Sequence, residues 1–374
     1  MGLRRVFSVA PQLNPLTKGC EGGVPTSLTV VIPAFNEESN VEPCLRSILE
    51  STDPCAHWNV LLVDDGSNDA THVRALRVAD AFPSRCRVMD AGPRPADERW
   101  VGKNWACSRA MEQVSSEWVL FVDADVRVLP EAIARALNQA LVDGADLLSL
   151  APRLECGCLA EWMVQPIMAS LLGLGFPIEA ANDPESAVAF AAGPFMLFRR
   201  SAYTAIGGHR DLAGEVVEDL ALAKKIKSSG YRLRYLLGLD AVRLRMYEDL
   251  PELWEGWTKN WFLGLDRNIE RALGASFVVV LMFAAPWLLC PTAVVLLAIA
   301  PELATTWCLL LLLSLLGVMQ QLLLRWWNRD RFCLPLDYWW LMGVGGLIIG
   351  LIGPVSVWRT LTGRGWTWKG RQLA

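Results

Sequence analysis

The chain has 374 residues and a formal net charge of −4, and its 39 acidic residues slightly outnumber its 35 basic ones. This balance excludes a basic nucleic-acid-binding surface, and the length leaves room for one large domain and a smaller one. The ten cysteines form no zinc-finger spacing among themselves or with the three histidines, so we expect reduced thiols in a reducing compartment.

Charged residues are distributed unevenly along the chain. Between Ala272 and Leu324 the only charged residue is Glu302, and between Phe332 and Trp358 it is Asp337. The core of a soluble protein does not contain uncharged stretches of this length. The two stretches therefore predict an integral membrane protein. The first residues lack the apolar core of a signal peptide. We therefore expect the first domain on the cytoplasmic side of a bacterial inner or cytoplasmic membrane.

Residues 1–26 are expected to form a loose tail, and residues 27–235 a domain in which strands and helices alternate. The predicted strands are short apolar runs: Leu28–Ile32, Val60–Val63, Arg87–Met89, Trp118–Val122 and Asp146–Leu150. The predicted helices have apolar residues at helical spacing: Glu38–Leu49, Asp69–Ala81, Lys103–Val114, Pro130–Val142 and Glu218–Ser229. Strands separated by helices predict an α/β fold with a parallel sheet covered on both faces.

Two less regular segments accompany this domain. Leu159–Phe176 is apolar but contains Pro166, and it fits either a helix on the membrane surface or an ordinary core helix. Residues 236–271 are expected to be an interfacial amphipathic segment, because the helical pattern of Leu250–Leu265 carries several tryptophans. Tryptophan favours the headgroup layer of a membrane.

Residues 272–374 are predicted to be a membrane domain, with apolar segments near 277–300, 303–324 and 338–358. Pro301 and Glu302 indicate a hairpin turn, because a carboxylate at the bilayer centre costs about 2.5–3.5 kcal/mol. Three full crossings from the cytoplasm would place the four basic residues after Trp358 outside, against the positive-inside rule. Either the rule fails here, or one segment is re-entrant or interfacial.

Four acidic motifs follow predicted strands or open a predicted helix. They are Pro33-Ala-Phe-Asn-Glu-Glu38, Val63-Asp-Asp-Gly-Ser67, Val122-Asp-Ala-Asp125 and Val217-Glu-Asp219. Ligands of an open parallel sheet bind beyond the carboxyl ends of its strands, so we expect these motifs to line one cleft. Any one of them fits a solvated turn or a helix cap, but the set together predicts a site for a nucleotide-sugar.

The chemistry of sugar transfer explains why such a cleft needs carboxylates. Asp123 and Asp125 offer one carboxylate to Mg²⁺ or Mn²⁺, which neutralises a leaving diphosphate, and one to nucleotide or sugar hydroxyls. An acceptor hydroxyl also needs a general base. Asp219 fits this role, and a second role as the cap of the helix that it opens is compatible with it.

The four motifs, in this order, resemble the family-2 glycosyltransferases of the GT-A fold over roughly residues 28–230. The residues that the resemblance assigns to the nucleoside are Pro33, Glu37, Asp64 and Asp65. Of these, Asp65 is the stronger candidate for the contact with uracil or ribose. Asp123 and Asp125 correspond to the DxD pair, with Asp125 as the more direct metal ligand. Asp219 corresponds to the catalytic base of the inverting enzymes, and Glu218 to a neighbour that orients the site.

Further motifs resemble a narrower subset, the membrane-bound enzymes of hopanoid, carotenoid and glycolipid synthesis. They are Arg99-Trp-Val-Gly-Lys-Asn-Trp105, Gly207-Gly-His-Arg210, Trp254-Glu-Gly-Trp-Thr-Lys-Asn260 and Thr367-Trp-Lys-Gly-Arg371. Lys103 fits either a contact with the diphosphate or a solvated lysine. Gly193 fits either a wall of the acceptor pocket, where a chain approaches closely, or a plain turn. Trp257 and Lys259 fit either closure over the donor or anchoring at the membrane interface.

The Gln-x-x-Arg-Trp motif of the processive synthases does not occur in this sequence. The apolar segments are also too few to line a polysaccharide channel. We therefore expect transfer of a single hexose from a UDP-sugar, with UDP-glucose or UDP-galactose favoured, to a lipid hydroxyl. The alternatives are a polyprenyl-phosphate sugar synthase, a catalytically silent membrane-bound homologue and, more weakly supported, a nucleotidyltransferase.

Overall fold

The computed structural model describes residues 10–16, 26–332, 334–364, 367–368 and 371–372. Most of the predicted tail and Lys369 of the last motif lie outside the described residues. The chain divides into two compact units. The first unit comprises Met1–Glu155, Gly173–Arg245 and Lys369–Ala374, and the second comprises Cys156–Leu172 and Met246–Trp368.

The first unit is built on one sheet, which has eight strands within the described residues. The strands are β1 (Ser27–Ala34), β2 (His57–Asp64), β3 (Cys86–Asp90), β4 (Trp118–Val122), β5 (Val126–Val128), β6 (Leu147–Leu154), β7 (Phe195–Arg199) and β8 (Leu233–Leu244). The helices up to β8 are α1 (Val41–Leu49), α2 (Thr71–Ala81), α3 (Gly102–Met111), α4 (Ala132–Asp143), α5 (Leu159–Gly175), α6 (Ile178–Asn182), α7 (Arg200–Ala205) and α8 (Glu218–Ser228). Helix α5 begins in the second unit and ends in the first.

The strand order across the sheet is β3-β2-β1-β4-β7-β6-β8-β5. The half from β3 to β4 is parallel, as predicted. The five predicted strands run in one direction, but the sheet as a whole is mixed, because β7 runs antiparallel to both β4 and β6, and β5 runs antiparallel to β8. Antiparallel neighbours need no crossover helix. Strand β5 follows β4 with no helix between them, and β7 is antiparallel although helices precede and follow it. The strand-helix alternation on which the prediction relied therefore reveals neither reversal.

Strand β8 also changes the predicted domain boundary. It runs along β6 from Leu233 to Leu244, so a boundary at residue 235 falls inside a strand. Residues 236–244 of the predicted interfacial segment are consequently part of the sheet.

The central strands of the sheet, β1 and β4, are deeply buried. Val30, Val31 and Ile32 of β1 are completely buried, as are most residues of β4. Each such side chain contributes about 1.5–3 kcal/mol when it is fully removed from water. Helix α3 packs on this layer through Ala106 and Ala110. The start of α3 is therefore held firmly against the sheet.

The second unit is largely helical. Its further helices are α9 (Leu250–Gly264), α10 (Ile269–Val279), α11 (Ala285–Ile299), α12 (Ala304–Phe332) and α13 (Met342–Leu361). A π-helical turn, Val280–Ala284, joins α10 to α11, and short strands follow α13 at β9 (Thr367–Trp368) and β10 (Arg371–Gln372). Among the described residues, three stretches are long and apolar enough to cross a membrane: Ile269–Ile299, Pro301–Arg329 and Trp339–Leu361. The three predicted apolar segments are thus confirmed.

Helix α5 contributes to the core of the second unit. Its residues Val164, Ile167 and Met168 are buried in one cluster with Trp257 and Trp261 of α9. This packing gives α5 a core face, as one of the two interpretations of its sequence expected. A position on the membrane surface stays a prediction for its other face.

The glycines of α13 allow its neighbours to approach closely. A Cβ atom at Gly345 would overlap the backbone carbonyl of Met163, and one at Gly353 would overlap the hydroxyl of Ser276. Small residues serve the same purpose at helix contacts inside membranes, where close backbone approach provides van der Waals packing. The glycine-rich sequence of this helix is therefore a packing feature.

Candidate active site

The carboxyl ends of β1 and β2 lie side by side at one edge of the sheet. In their register Pro33 is opposite Val63, and Ala34 is opposite Asp64. Strand β4 runs parallel to β1 on its other side. The first three acidic motifs therefore leave the sheet at the same edge, as predicted.

Hydrogen bonds join the loops that follow β1 and β2. The backbone N–H of Asn36 donates to Oγ of Ser67 at 2.9 Å, and the N–H of Asn68 donates to Oδ1 of Asn36 at 2.9 Å. Asn36 has a φ of 52°, in the left-handed region that asparagine tolerates better than most residues. The two loops consequently form one fixed rim.

Lys103, at the start of α3, joins two of the acidic motifs. Its Nζ lies 2.7 Å from Oδ1 of Asp123 and 2.7 Å from Oε1 of Glu218. Burial alone would lower the pKa of Lys103, but the two carboxylates outweigh burial and hold this pKa well above its ordinary value. Burial likewise works to raise the pKa of Glu218, and Lys103 reverses this, so that the pKa is lowered. We call Asp123, Lys103 and Glu218 the lysine bridge.

The carboxylate of Asp219 lies beside the lysine bridge. Its Oδ2 accepts a hydrogen bond from the N–H of Gly193 at 3.0 Å, and its Oδ1 accepts one from the N–H of Leu220 at 2.7 Å. Burial and the negative charge of Glu218 raise the pKa of Asp219 to about 6, against the opposing effect of Lys103. A carboxyl group with this pKa is ionised at neutral pH and still basic enough to accept a proton.

Gly193 fits between Asp219 and Lys103 because it lacks a side chain. A Cβ atom at this position would lie 3.0 Å from Oδ2 of Asp219 and 3.3 Å from Nζ of Lys103. Contacts this short require the neighbouring groups to shift. The geometry favours close approach over a plain turn as the reason for glycine here.

Asp219 also lies in the first turn of α8, where free backbone N–H groups carry partial positive charge. The N-cap residue of this helix is Val217, whose side chain makes no capping bond. The bond from Leu220 to Asp219 is a local contact of the capping kind. Asp219 is therefore not the cap of α8, because it lies within the first turn of the helix, and its role as a base stays a prediction.

The adjacent aspartates after β2 have different environments. Oδ1 of Asp64 accepts from the backbone N–H and the hydroxyl of Ser67 at 3.1 and 2.6 Å, and its Oδ2 lies 3.1 Å from Nδ1 of His72. Asp64 therefore shapes its own turn. The carboxylate of Asp65 is paired instead with two guanidinium groups, those of Arg94 and Arg371.

Asp65 and the lysine bridge share the buried neighbour Cys107. Burial raises the pKa of the Cys107 thiol, Lys103 lowers it, and the carboxylates of Glu218, Asp123 and Asp65 raise it further. A Cβ atom at Gly102, the residue before Lys103, would collide with Oδ2 of Asp65, so this carboxylate lies against the start of α3. The structure brings together residues from the second, third and fourth acidic motifs.

A second buried cysteine connects the first motif with the third. Burial raises the pKa of Cys44, Arg127 lowers it, and the carboxylates of Asp125, Glu37 and Asp123 raise it. Glu37 lies in the loop before α1, where its Oε2 accepts a hydrogen bond from the side chain of Asn40 at 3.0 Å. The Cys44 thiol donates to the backbone carbonyl of Asp123 at 3.6 Å, so the first turn of α1 lies beside the DxD pair.

The DxD pair was also predicted to bind a metal ion. Within the described residues, no three His, Cys, Asp or Glu side chains are grouped as metal ligands. In nucleotide sites, however, Mg²⁺ takes only one or two carboxylates and completes its shell with phosphate and water oxygens. The hard oxygens of Asp123 and Asp125 fit such a partial shell. Oδ1 of Asp123 lies 2.7 Å from Nζ of Lys103. Asp125 as the more direct metal ligand stays a prediction.

Trp257 and Lys259 lie on α9 in the second unit. Trp257 is buried, and its indole N–H donates to Oε1 of Gln165 at 2.9 Å. Lys259 is half-buried. These contacts give Trp257 a place in the core of the second unit, and closure over the donor stays a prediction for both residues.

Asn104 is a site residue that the sequence analysis did not identify. Its buried side-chain amide donates to the carbonyls of Leu212 and Glu215 at 2.6 and 2.8 Å. Because Asn104 adjoins Lys103, these bonds fix the loop before α8 to the start of α3. The motif containing Asn104 was noted, but nothing in it indicates a partner more than a hundred residues away.

His209 is a buried residue of the same loop, the one before α8. It is 2% exposed, and its Nδ1 lies 2.7 Å from the hydroxyl of Tyr203. Burial lowers the pKa of His209 to about 3, so the ring is neutral at physiological pH. Its ring also packs edge-on against Phe121 of β4. The Gly207–Arg210 motif is therefore structural in this geometry.

Comparison with known proteins bears on this arrangement. A family model described as glycosyl transferase family 2 matches residues 29–207. A 4,4'-diaponeurosporenoate glycosyltransferase of Staphylococcus aureus (strain bovine RF122 / ET3-1) is 30% identical over 252 residues, which are 67% of this chain and 64% of the relative. The protein of the same name from strain USA300 is 30% identical over 241 residues, 64% of this chain and 61% of the relative. The match therefore spans less than two thirds of each relative's length.

A solved structure gives the same fold. It is a mannosyltransferase from Pyrobaculum calidifontis in complex with GDP-Man and Mn2+, with a TM-score of 0.50 and 16% identity, over 96% of this chain and 92% of that chain. At this identity the likeness concerns the fold alone. The predicted GT-A fold is confirmed. Residues 29–207 of this chain thus match the model of the family-2 glycosyltransferases, and three helices that are long and apolar enough to cross a membrane follow them among the described residues.

Proposed function

We propose that this chain is a membrane-bound inverting glycosyltransferase that moves a single hexose from a UDP-sugar to the hydroxyl of a lipid. The observation that carries this proposal is the environment of Asp219. Its carboxylate has a pKa of about 6, accepts a hydrogen bond from Gly193 and lies beside the cation of Lys103. This is the combination that a base near a developing diphosphate charge requires.

In the proposed reaction Asp219 accepts the proton of the acceptor hydroxyl. The hydroxyl oxygen forms a bond to the anomeric carbon of the sugar, on the face opposite the leaving group, and this inverts the configuration. The bond from the anomeric carbon to the phosphate oxygen breaks, and UDP leaves with the electron pair. Lys103 stabilises the negative charge that develops on the diphosphate, while Glu218 holds the lysine in place.

The donor side of the site follows from the remaining motifs. Asp65 would contact the uracil or ribose, with Pro33, Glu37 and Asp64 shaping the loops around it. Asp125, with Asp123, would hold Mg²⁺ or Mn²⁺, which supplies Lewis-acid stabilisation of the diphosphate when bound. UDP-glucose and UDP-galactose are the donors that we expect.

An apolar acceptor is supported by the three helices that follow the domain, because a substrate dissolved in the bilayer would reach an enzyme anchored there. The acceptor types that we expect are a glycolipid precursor, a carotenoid or a hopanoid. The relatives are named for an acceptor that is a carotenoid carboxylate. This favours a second candidate function, in which the sugar is transferred to an acceptor that is already ionised. A polyprenyl-phosphate acceptor belongs to the same class, and neither would need a strong base.

The proposed location is the cytoplasmic membrane, with the first unit on the cytoplasmic side. Arg245, before the three apolar helices, and Arg371, after them, both belong to the first unit. A chain that leaves this unit and returns to it crosses a membrane an even number of times. This supports two full crossings and one re-entrant or interfacial helix, which agrees with the positive-inside rule.

The test is a screen of the purified, full-length protein with radiolabelled UDP-glucose, UDP-galactose and UDP-N-acetylglucosamine, with Mg²⁺ or Mn²⁺ and total lipid from the native host. We expect label in a lipid that thin-layer chromatography resolves. Label in a water-soluble sugar acceptor alone would contradict the lipid proposal. A complete absence of transfer and of donor hydrolysis would favour a catalytically silent homologue.

A further inference from the structure

Arg371 lies far from Asp65 in sequence and contacts it directly in the first unit. Nη1 of Arg371 lies 2.5 Å from Oδ2 of Asp65, and its Nη2 donates to the backbone carbonyl of Asp65 at 2.9 Å. Two bonds from one planar guanidinium group fix both the side chain and the backbone of the aspartate. This contact belongs to the motif Thr367-Trp-Lys-Gly-Arg371, to which the proposed reaction gives no role.

Arg371 also covers an aromatic ring of the first acidic motif. The centre of its guanidinium group lies 3.7 Å from the ring centroid of Phe35. A guanidinium group over an aromatic face at this distance makes a cation–π contact. Arg371 thus joins the loop after β1 to the loop after β2.

A second arginine shares the same carboxylate oxygen. Nη2 of Arg94 lies 2.5 Å from Oδ2 of Asp65, and its Nη1 donates to the carbonyl of Trp100 at 3.3 Å. A Cβ atom at Gly102 would collide with this Asp65 oxygen and lie 2.8 Å from Nη2 of Arg94. The pairing therefore depends on a glycine at the start of α3. We call Phe35, Asp65, Arg94 and Arg371 the arginine clamp.

The charges of the arginine clamp do not cancel. Two guanidinium groups pair with one carboxylate, so the clamp carries one positive charge in excess. The carboxylate is largely buried, since Asp65 is 7% exposed. Both arginine bonds fall on Oδ2 of Asp65. A carboxylate has lone pairs on both oxygens, so the clamp orients this group without using its full capacity to accept hydrogen bonds. An excess of positive charge at such a position favours an anionic ligand.

We propose that Arg371 is a positioning residue of the donor site, which holds Asp65 and Phe35 in the arrangement that binds a nucleoside diphosphate. This inference rests on the proposed function, because it assigns the nucleoside to Asp65. It makes Arg371, which follows the third apolar helix in the sequence, part of the nucleotide site. Anchoring in the membrane and binding of the donor are thereby linked through one side chain.

The test compares UDP binding to the full-length protein in detergent by equilibrium dialysis with radiolabelled UDP. The variants are Arg371→Ala, Arg371→Lys and Phe35→Leu, and the control is Arg364→Ala, an exposed arginine whose guanidinium group lies over Trp358. We expect Arg371→Ala to weaken UDP binding about tenfold, since a hydrogen-bonded charge pair is lost. The lysine and leucine variants should lie between it and the wild type, and the control should bind like the wild type.

Kinetics separate a positioning role from general damage. With the labelled donor, Arg371→Ala should raise the KM for UDP-sugar about tenfold and leave kcat within about twofold. Unchanged UDP binding in all three variants would overturn the inference while leaving the proposed function intact. Tighter binding in Arg371→Ala would also overturn it, because the arginine would then be blocking the site. If the wild type binds no UDP with either metal ion, the proposed function fails together with the inference.

Discussion

The backbone N–H of Gly193 donates a hydrogen bond to Oδ2 of Asp219 at 3.0 Å. This bond orients the carboxylate of Asp219. Because residue 193 is a glycine, only its backbone packs against that carboxylate. The loop before β7 and the first turn of α8 are thus in direct contact at the group that the proposed reaction uses as its base. A close contact of this kind makes definite demands on the residue at position 193.

Gly193→Ala should lower kcat about 10- to 100-fold, because misplacing a catalytic group by a fraction of an ångström is costly. The new Cβ atom would lie 3.0 Å from Oδ2 of Asp219 and 3.3 Å from Nζ of Lys103. Gly175→Ala is the matched control, since a Cβ atom there meets nothing within 4 Å. Rates of sugar transfer and thermal unfolding should be measured for both. Wild-type activity in Gly193→Ala would contradict the close-approach role.

The rate of transfer should fall as pH decreases through about 6. Asp219 must be ionised to accept a proton, and its raised pKa of about 6 means that acid removes the base below that pH. The effect of the neighbours fixes the direction of two further shifts. Glu218→Gln removes a charge that raises this pKa, so the acidic limb should move to lower pH, whereas Lys103→Met should move it to higher pH. Profiles of kcat against pH test this, and limbs that coincide in all three proteins would contradict it.

The segment that contains Arg371 should lie on the same side of the membrane as the first unit. Arg245 and Arg371 both belong to the first unit, so the chain between them must cross the membrane an even number of times. A single cysteine introduced at exposed Arg364, in a cysteine-free background, should react with a membrane-impermeant maleimide only in inside-out vesicles. A cysteine at exposed Asp80 in α2 is the reference for the first unit. Labelling of the two positions from opposite sides would contradict the proposed topology.

The acidic motifs were predictable because each is a local pattern at a strand end. The apolar runs of β1, β2 and β4 and the helical spacing of apolar residues predicted, from the sequence alone, that Asp65, Asp123 and Asp219 lie near one edge of the sheet. The strands that follow β4 were harder to predict, because β5 follows β4 with no helix between them and β7 runs antiparallel even though helices α5 and α6 precede it. The alternation of strands and helices contains no signal for the direction of such a strand.

The contacts that orient the site were not predictable. Lys103 was assigned to the diphosphate, and its bonds to Asp123 and Glu218 depend on how α3 and α8 meet. Asn104 gave no signal beyond its place in a motif. Arg371 and Asp65 are 306 residues apart, and no local pattern relates residues at that separation. Such long-range ion pairs depend on which loops the tertiary packing brings together, and the patterns in a single sequence do not show this.

Asp219→Asn tests the central claim most directly. The substitution keeps the shape of the side chain but removes its ability to accept the proton. The measurement is transfer of radiolabel from UDP-sugar to the lipid that the wild type modifies, with UDP binding as the control for folding. We predict normal UDP binding and a loss of transfer of about 10²- to 10⁴-fold. Transfer by Asp219→Asn at close to the wild-type rate would contradict a general base at this position and favour an acceptor that is already ionised.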